Sequence, residues 1–209
     1  ISRTTVFHAL NHRAVARRAA KTLGTRYEQN NFIICHIGGG VSVAAHKKGK
    51  IIDANNALNG EGPFTPERCG GLPLLDFIEM CYQDNLSLED IKKKLVGQGG
   101  LMAYLGTNDA IEIEMLINKG DKYVAEIYEG MAYQIAKEIG AQATVLKGEI
   151  DAIILTGGVC YSKILVEWIK TRVEFIAPVM VYPGEDEMQA LAEACLRGLR
   201  GEEKIKTYQ

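Results

Sequence analysis

The stretch Asn31-Phe32-Ile33-Ile34-Cys35-His36-Ile37-Gly38-Gly39-Gly40-Val41-Ser42-Val43-Ala44-Ala45-His46 decides how this chain is read. An apolar run leads into three consecutive glycines, and a second apolar run leaves them. Gly49-Lys50-Ile51-Ile52-Asp53 follows after a short gap. The pattern predicts strand, glycine turn, strand, short turn, strand, a hairpin region from Phe32 to about Ala54. Glycines at the first turn leave no Cβ, so backbone N–H groups can close on a bulky anion. On its own the stretch fits two readings, a phosphate cradle or a glycine-rich turn with no ligand.

Working outward, Asn11 to Leu23 carries apolar and alanine positions at helical spacing and ends at Gly24, a C-cap residue. Arg13, Arg17, Arg18 and Lys21 fall at helical spacing there, as a solvated helix face does. After the hairpin region, Asn55 to Gly71 forms a long loop rich in glycine, proline and asparagine. Long ordered loops are usually functional, and Phe64 and Arg68 are unusual choices for a mere connector.

Helical patterns then run from Leu72 to Tyr82 and from Leu88 to Val96, the latter capped by Ser87 with Asp90 in its first turn. Gln98-Gly99-Gly100 breaks the chain. Thr107-Asn108-Asp109 offers caps for a helix ending near Lys119-Gly120. A long helical pattern from Tyr123 to Lys147 has small residues at Gly130, Ala132, Ala136, Gly140, Ala141 and Ala143, which permit close helix contact. Asp151 to Gly158 reads as a buried strand ending in a double glycine. Ser162 to Ile176 reads as a helix with Trp168 at an apolar position, and Val179 to Tyr182 as another strand. Pro183-Gly184 turns into a last helix, Glu185 to Arg200, and a charged tail. Buried strands alternating with helices indicate an α/β layer fold, and the hairpin makes its sheet mixed.

Bulk properties narrow the function. The chain has 209 residues, 47% of them hydrophobic, enough for a well-filled core. A net charge of −2 argues against a nucleic-acid-binding surface. The cysteines, Cys35, Cys69, Cys81, Cys160 and Cys195, are odd in number and form no CxxC pair, which fits a reducing, cytoplasmic compartment. No run is long enough to span a bilayer, so no membrane partner is expected. The chain opens at Ile1, straight into an ordered pattern, so a further N-terminal portion is expected before it.

Glycine features end two strands on either side of a helical insert, at His36 to Gly40 and at Thr156-Gly157-Gly158-Val159. This pairing resembles the actin, hexokinase and sugar-kinase superfamily, in which the hairpin holds ATP phosphates and the later glycines lie against adenosine. Phe7-His8-Ala9-Leu10-Asn11-His12, His36-Ile37-Gly38-Gly39-Gly40 and Glu67-Arg68-Cys69-Gly70-Gly71-Leu72-Pro73 occur in the order seen in the acetate and butyrate kinase family. Within that family, Asn55-Asn56-Ala57-Leu58-Asn59-Gly60-Glu61-Gly62-Pro63-Phe64 is more similar to the butyrate kinases than to the acetate kinases. The resemblance covers essentially the whole chain but corresponds only to the family's C-terminal part.

The resemblance implies a ribonuclease H-like nucleotide-binding domain over residues 1–209, with a helical insert at about 72–147 and an N-terminal domain outside this chain. It implies reversible transfer of a phosphoryl group from ATP to a short-chain carboxylate, butyrate or a branched analogue, with ATP/ADP and Mg²⁺ and a homodimeric assembly. The alternatives are an acetate or propionate kinase, or a nucleotide-binding and dimerisation domain without catalysis.

By the same resemblance, Arg68 is the active-site arginine and His8 the histidine that contacts the transferring phosphoryl group. His36 reaches toward the nucleotide, and Gly38, Gly39 and Gly40 contribute backbone donors; acetate kinases usually carry asparagine at the position of Gly39. Asn108, Asp109, Gly157, Gly158 and Val159 lie near adenosine. Asp186 and Glu187, beside Glu185, approach the metal, and His12 supports the His8 site. Each has a plainer reading from the residues alone. Arg68 could pair with Glu67 or Glu61, His8 could cap a helix or fill core, Asp109 could be only an N-cap, and acids at a helix start offset its dipole. His8, His12, His36 and Cys35 carry no closed zinc-ligand spacing.

Overall fold

Among the described residues, five strands build one sheet in the order β3-β2-β1-β4-β5. They are β1 (Asn31–Ile37), β2 (Val41–Lys47), β3 (Lys50–Ala54), β4 (Ala152–Gly157) and β5 (Val179–Pro183). β1–β2 and β2–β3 are antiparallel, while β1–β4 and β4–β5 are parallel. The sheet is therefore mixed, as the hairpin pattern predicts. This structure is a computed structural model, and it describes residues 4–185 and 187–202, excepting the side chain of Glu187.

Among the described residues, eight α-helices surround or extend the sheet: α1 (Ala9–Thr22), α2 (Leu74–Gln83), α3 (Leu88–Leu95), α4 (Leu101–Leu105), α5 (Ala110–Asn118), α6 (Lys122–Val145), α7 (Lys163–Val173) and α8 (Glu187–Leu199). Caps set several boundaries. The side chains of Ser87, Asp109, Asp121 and Ser162 each accept a backbone N–H in the first turn of α3, α5, α6 and α7. The five-residue α4 is too short to show a period and was not foreseen. α6 runs unbroken through Gly130 and Gly140. A Cβ at Gly130 would meet the Phe64 ring at 3.9 Å, whereas one at Gly140 would meet only open space.

Alternation along the strands divides the core. Ile33, Cys35, Ile37, Val41, Val43, Ala45, Ile153 and Leu155 pack with Tyr128, Met131, Ile135 and Ile139 of α6 and with Leu165 and Ile169 of α7. On the other face, Phe32, Ile34, Ala152 and Ile154 meet Val15, Ala16, Ala19 and Ala20 of α1. The alanines let α1 lie close to the sheet. Residues 36, 42 and 46 share the parity of this α1 face, so three polar side chains are delivered beneath the start of α1.

The segment after β3 is ordered by its own side chains. Asn55 is buried and continues the strand ladder, with Oδ1 accepting from the Val43 N–H (2.6 Å) and Nδ2 donating to the Val41 carbonyl (3.1 Å). Asn56 Nδ2 donates to the Thr4 carbonyl (2.6 Å), and its Oδ1 accepts from the N–H groups of Leu58 and Asn59. Phe64 enters the core beside α6, and its N–H donates to Gln134 Oε1 (3.0 Å). Phe64 thus anchors this loop.

Candidate active site

The two glycine features meet at the carboxyl ends of the parallel strands. His36 is paired with Thr156 across β1 and β4. Gly157 has φ +101°, and a Cβ there would strike the Ile37 backbone. Only glycine permits both the left-handed backbone and this contact. Ligands of open α/β sheets collect at this edge.

In the hairpin, the Gly38 N–H donates to the Gly40 carbonyl (3.0 Å), and the Gly39 carbonyl accepts from the Thr65 hydroxyl (2.6 Å). The Thr65 hydroxyl oxygen also accepts from the N–H groups of Glu67 (3.2 Å) and Arg68 (3.0 Å). One hydroxyl therefore ties the loop to the hairpin and sets the direction in which Arg68 leaves the chain.

The half-buried Arg68 lays its guanidinium directly on Gly40, where a Cβ would collide with Nη1 and Cζ. Nη1 donates to the Ala57 carbonyl, and Nε is buried with no hydrogen-bond partner. Desolvation pulls the Arg68 pKa below its usual value, while the neighbouring Glu67 opposes that shift. The Glu67 carboxylate accepts from Asn108 Nδ2 (2.6 Å), and a Cβ at Gly39 would lie 3.5 Å from its Oε2. Asn108 is thereby held beside the hairpin.

His8 occupies the N-cap position of α1 but makes no capping bond with its side chain. Its Nδ1 lies 2.9 Å from Ser42 Oγ, and its ring stacks on His36 with centroids 3.9 Å apart. His36 is fully buried, with Nε2 3.1 Å from Glu185 Oε1, and burial lowers its pKa to about 4. A neutral imidazole follows at physiological pH. His12 is also fully buried and shares Ser42, its Nε2 lying 2.9 Å from Oγ. Ser42, Glu67 and Thr65 were missed as site residues. Glu67 and Ser42 lie within motif stretches that assign them no role, and the partners of all three lie across the hairpin or on another segment.

Beside the hairpin, a cleft of about 450 Å³ is lined by Asn108, Asp109, Ile111, Gly158, Val159 and Tyr161, among others. Asp109 also caps α5, accepting from the Ile111 N–H at 2.8 Å. Gly157 instead packs against β1.

Asp186 and the side chain of Glu187 lie outside the described residues. Among the described residues, no three His, Cys, Asp or Glu side chains converge as a metal site. The carboxylates of Glu185 and Glu67 lie near the hairpin glycines. Such hard oxygen donors fit Mg²⁺, which binds one or two carboxylates together with substrate phosphates and waters.

A mixed sheet with flanking helices and glycine turns at its carboxyl edge defines the class by its fold, which is similar to that of the actin- and hexokinase-like ATPases. The chain belongs to the acetokinase family, whose model matches residues 2–177. Acetate kinase from Porphyromonas gingivalis is 26% identical, with a TM-score of 0.83, and the match covers 91% of this chain and 54% of that one. A propionate kinase from Francisella tularensis subsp. tularensis SCHU S4 is 23% identical with a TM-score of 0.79, covering 88% and 53%. A ROK family protein from Streptococcus pneumoniae TIGR4 shares the fold at 16% identity and a TM-score of 0.50, covering 82% and 60%. The chain spans about half the length of the acetate and propionate kinase structures it matches. Among the described residues, no helix is long and apolar enough to cross a membrane.

Proposed function

We propose that this chain is the nucleotide-binding domain of an ATP-dependent carboxylate kinase, acting with an N-terminal domain of the same protein in a cytoplasmic homodimer. A carboxylate oxygen attacks the γ-phosphorus, the bond to the β–γ bridging oxygen breaks, and ADP leaves as the acyl phosphate forms. No proton transfer is required, so the protein's work is positioning and charge stabilisation. The Arg68 guanidinium lying on Gly40 carries this reading, because it joins a half-buried cation to a phosphate-sized turn. Its unpartnered Nε supports the same assignment, since buried donors rarely lack an acceptor.

In this reading the Gly39 and Gly40 amides hold the β- and γ-phosphates, while the Gly38 amide holds the turn closed. His8 donates to an equatorial oxygen of the phosphoryl group, and His36 packs beneath it. Asn108, Asp109, Gly158 and Val159 line the adenosine cleft. Mg²⁺ bound by Glu185, Asp186 or Glu187 and the phosphates would supply charge neutralisation. The acid is butyrate or a branched analogue, a reading that rests on the similarity of Asn55 to Phe64 to butyrate kinases. The 26% identity with an acetate kinase favours acetate as a second reading.

Hydroxylamine trapping of acyl phosphate, using the intact protein with ATP, Mg²⁺ and a series of short acids, tests both. The expected result is highest turnover with four-carbon acids and a loss of about 10²–10³-fold in kcat for Arg68→Ala. Nucleotide affinity should change only a few-fold. No acyl phosphate with any short acid would defeat the reading, and a preference for acetate would select the second.

A further inference from the structure

At the start of α1, five side chains, drawn from the turn before β1, from β2 and from α1 with its N-cap, are joined end to end. The Tyr27 hydroxyl lies 2.7 Å from His46 Nδ1, and His46 Nε2 lies 3.3 Å from His12 Nδ1. His12 Nε2 and His8 Nδ1 each lie 2.9 Å from Ser42 Oγ. Tyr27 is 4% exposed, and His46, His12 and Ser42 are 0% exposed. Sequence motifs explain none of Tyr27, Ser42 and His46.

The proton order along this row is determined by its far end. The buried Tyr27 hydroxyl must donate, and its hydrogen-bond partner is His46 Nδ1. His46 then carries its hydrogen on Nε2 and donates to His12 Nδ1. His12 likewise donates from Nε2 to Ser42 Oγ, which leaves the single Ser42 hydrogen for His8 Nδ1. A neutral imidazole that accepts at Nδ1 carries its hydrogen on Nε2. The opposite order would strand the phenol hydrogen in the core. Burial, then Arg13, keeps His46 neutral, and burial, then the neighbouring histidines, does the same for His12. Arg13 and Arg17 on α1 and Glu28 beside Tyr27 are the charges that face the phenol end.

We infer that Tyr27, His46, His12 and Ser42 form a one-directional hydrogen-bond relay that fixes His8 in its Nε2–H tautomer. Tyr27, His46, His12 and Ser42 are positioning residues that act through His8. The catalytic consequence rests on the kinase reading, in which His8 donates to the phosphoryl oxygen, whereas the tautomer does not depend on it.

Nitrogen-15 correlation spectra of the histidine side chains in the intact labelled protein, without ligand at neutral pH, read the tautomer directly. The chain has only four histidines, so single substitutions assign them. The expected spectrum shows His8 Nδ1 unprotonated and Nε2 protonated. In Tyr27→Phe both His8 nitrogens should move toward values averaged over two tautomers, with kcat reduced about tenfold and KM unchanged. Ser42→Ala replaces that variant if it does not fold. A His8 protonated on Nδ1 in the wild type, or unmoved in the folded variant, overturns the relay. Correct His8 nitrogens without acyl phosphate formation would defeat the kinase reading and leave the relay standing. Normal turnover with Nδ1–H would do the reverse.

Discussion

Arg68 and Gly40 are in direct contact across the loop that separates them, with the guanidinium filling the space a Cβ at residue 40 would need. Gly40 has no positive φ, so the main conflict of an alanine there is with the Arg68 guanidinium, with a lesser one at the Ala57 carbonyl, 3.1 Å from the added Cβ. Gly40→Ala should therefore leave the protein folded but displace the guanidinium. Turnover should fall by about 10²-fold or more, with an unfolding midpoint close to wild type. Equal loss of folding and turnover would show that the contact serves packing alone.

Gly157 makes the complementary case. Its φ of +101° and its approach to the Ile37 backbone both oppose a side chain. Gly157→Ala should lower stability by about 1–3 kcal/mol or more, since strain and overpacking act together. Urea unfolding measures this, and an unchanged midpoint would contradict the close packing of β4 on the hairpin.

Asn55 stands in for a strand residue. Asn55→Ala removes an acceptor from the Val43 N–H and a donor from the Val41 carbonyl in a buried setting. A cost of about 2–3 kcal/mol is expected for two lost partners. Amide hydrogen exchange should show lost protection at Val43. Retained protection would mean that another group takes the place of the asparagine.

Acid should destabilise the fold through its buried histidines. Burial depresses His36 to about 4 and His46 to about 3. Above the unfolded-state value of 6.5 their contribution is fully present. It is lost as pH falls, because the unfolded chain then binds protons that the native one does not. The slope is about 1.4 kcal/mol per pH unit for each histidine until the folded values are reached. Alkali acts oppositely on Cys160, which burial raises to about 12. Its contribution is present below 9 and is lost between 9 and 12. Denaturation midpoints across this range check both limbs, and a flat acid limb would contradict neutral burial of the histidines.

Much of this was legible in the sequence because it is local. Apolar runs ending at Gly38 and Gly157 pointed to the strands, and Ser87 and Asp109 marked helix starts through caps that are contacts within a few residues. The short α4 has no such signature. The site was legible only where a motif carries it, at His8, His36, Arg68 and the glycines. The relay was not, because Ser42 meets His8 and His12 across 34 and 30 residues of chain. Strand parity alone puts residues 36, 42 and 46 on one face, but nothing in the pattern says that α1 and Tyr27 would close over them. Likewise, Arg68 reaches Gly40 only because Thr65, Asn55 and Asn56 fold the loop back.

The central claim is that the glycine turn and Arg68 together receive the phosphates of ATP. A crystal structure of the intact protein with Mg²⁺ and a non-hydrolysable ATP analogue tests it most directly. The account predicts phosphate oxygens within hydrogen-bond distance of the Gly39 and Gly40 amides, and the Arg68 guanidinium turned from the Ala57 carbonyl toward the γ-phosphate. A nucleotide bound elsewhere, with Arg68 still donating to Ala57 and the turn making no phosphate contact, would contradict it.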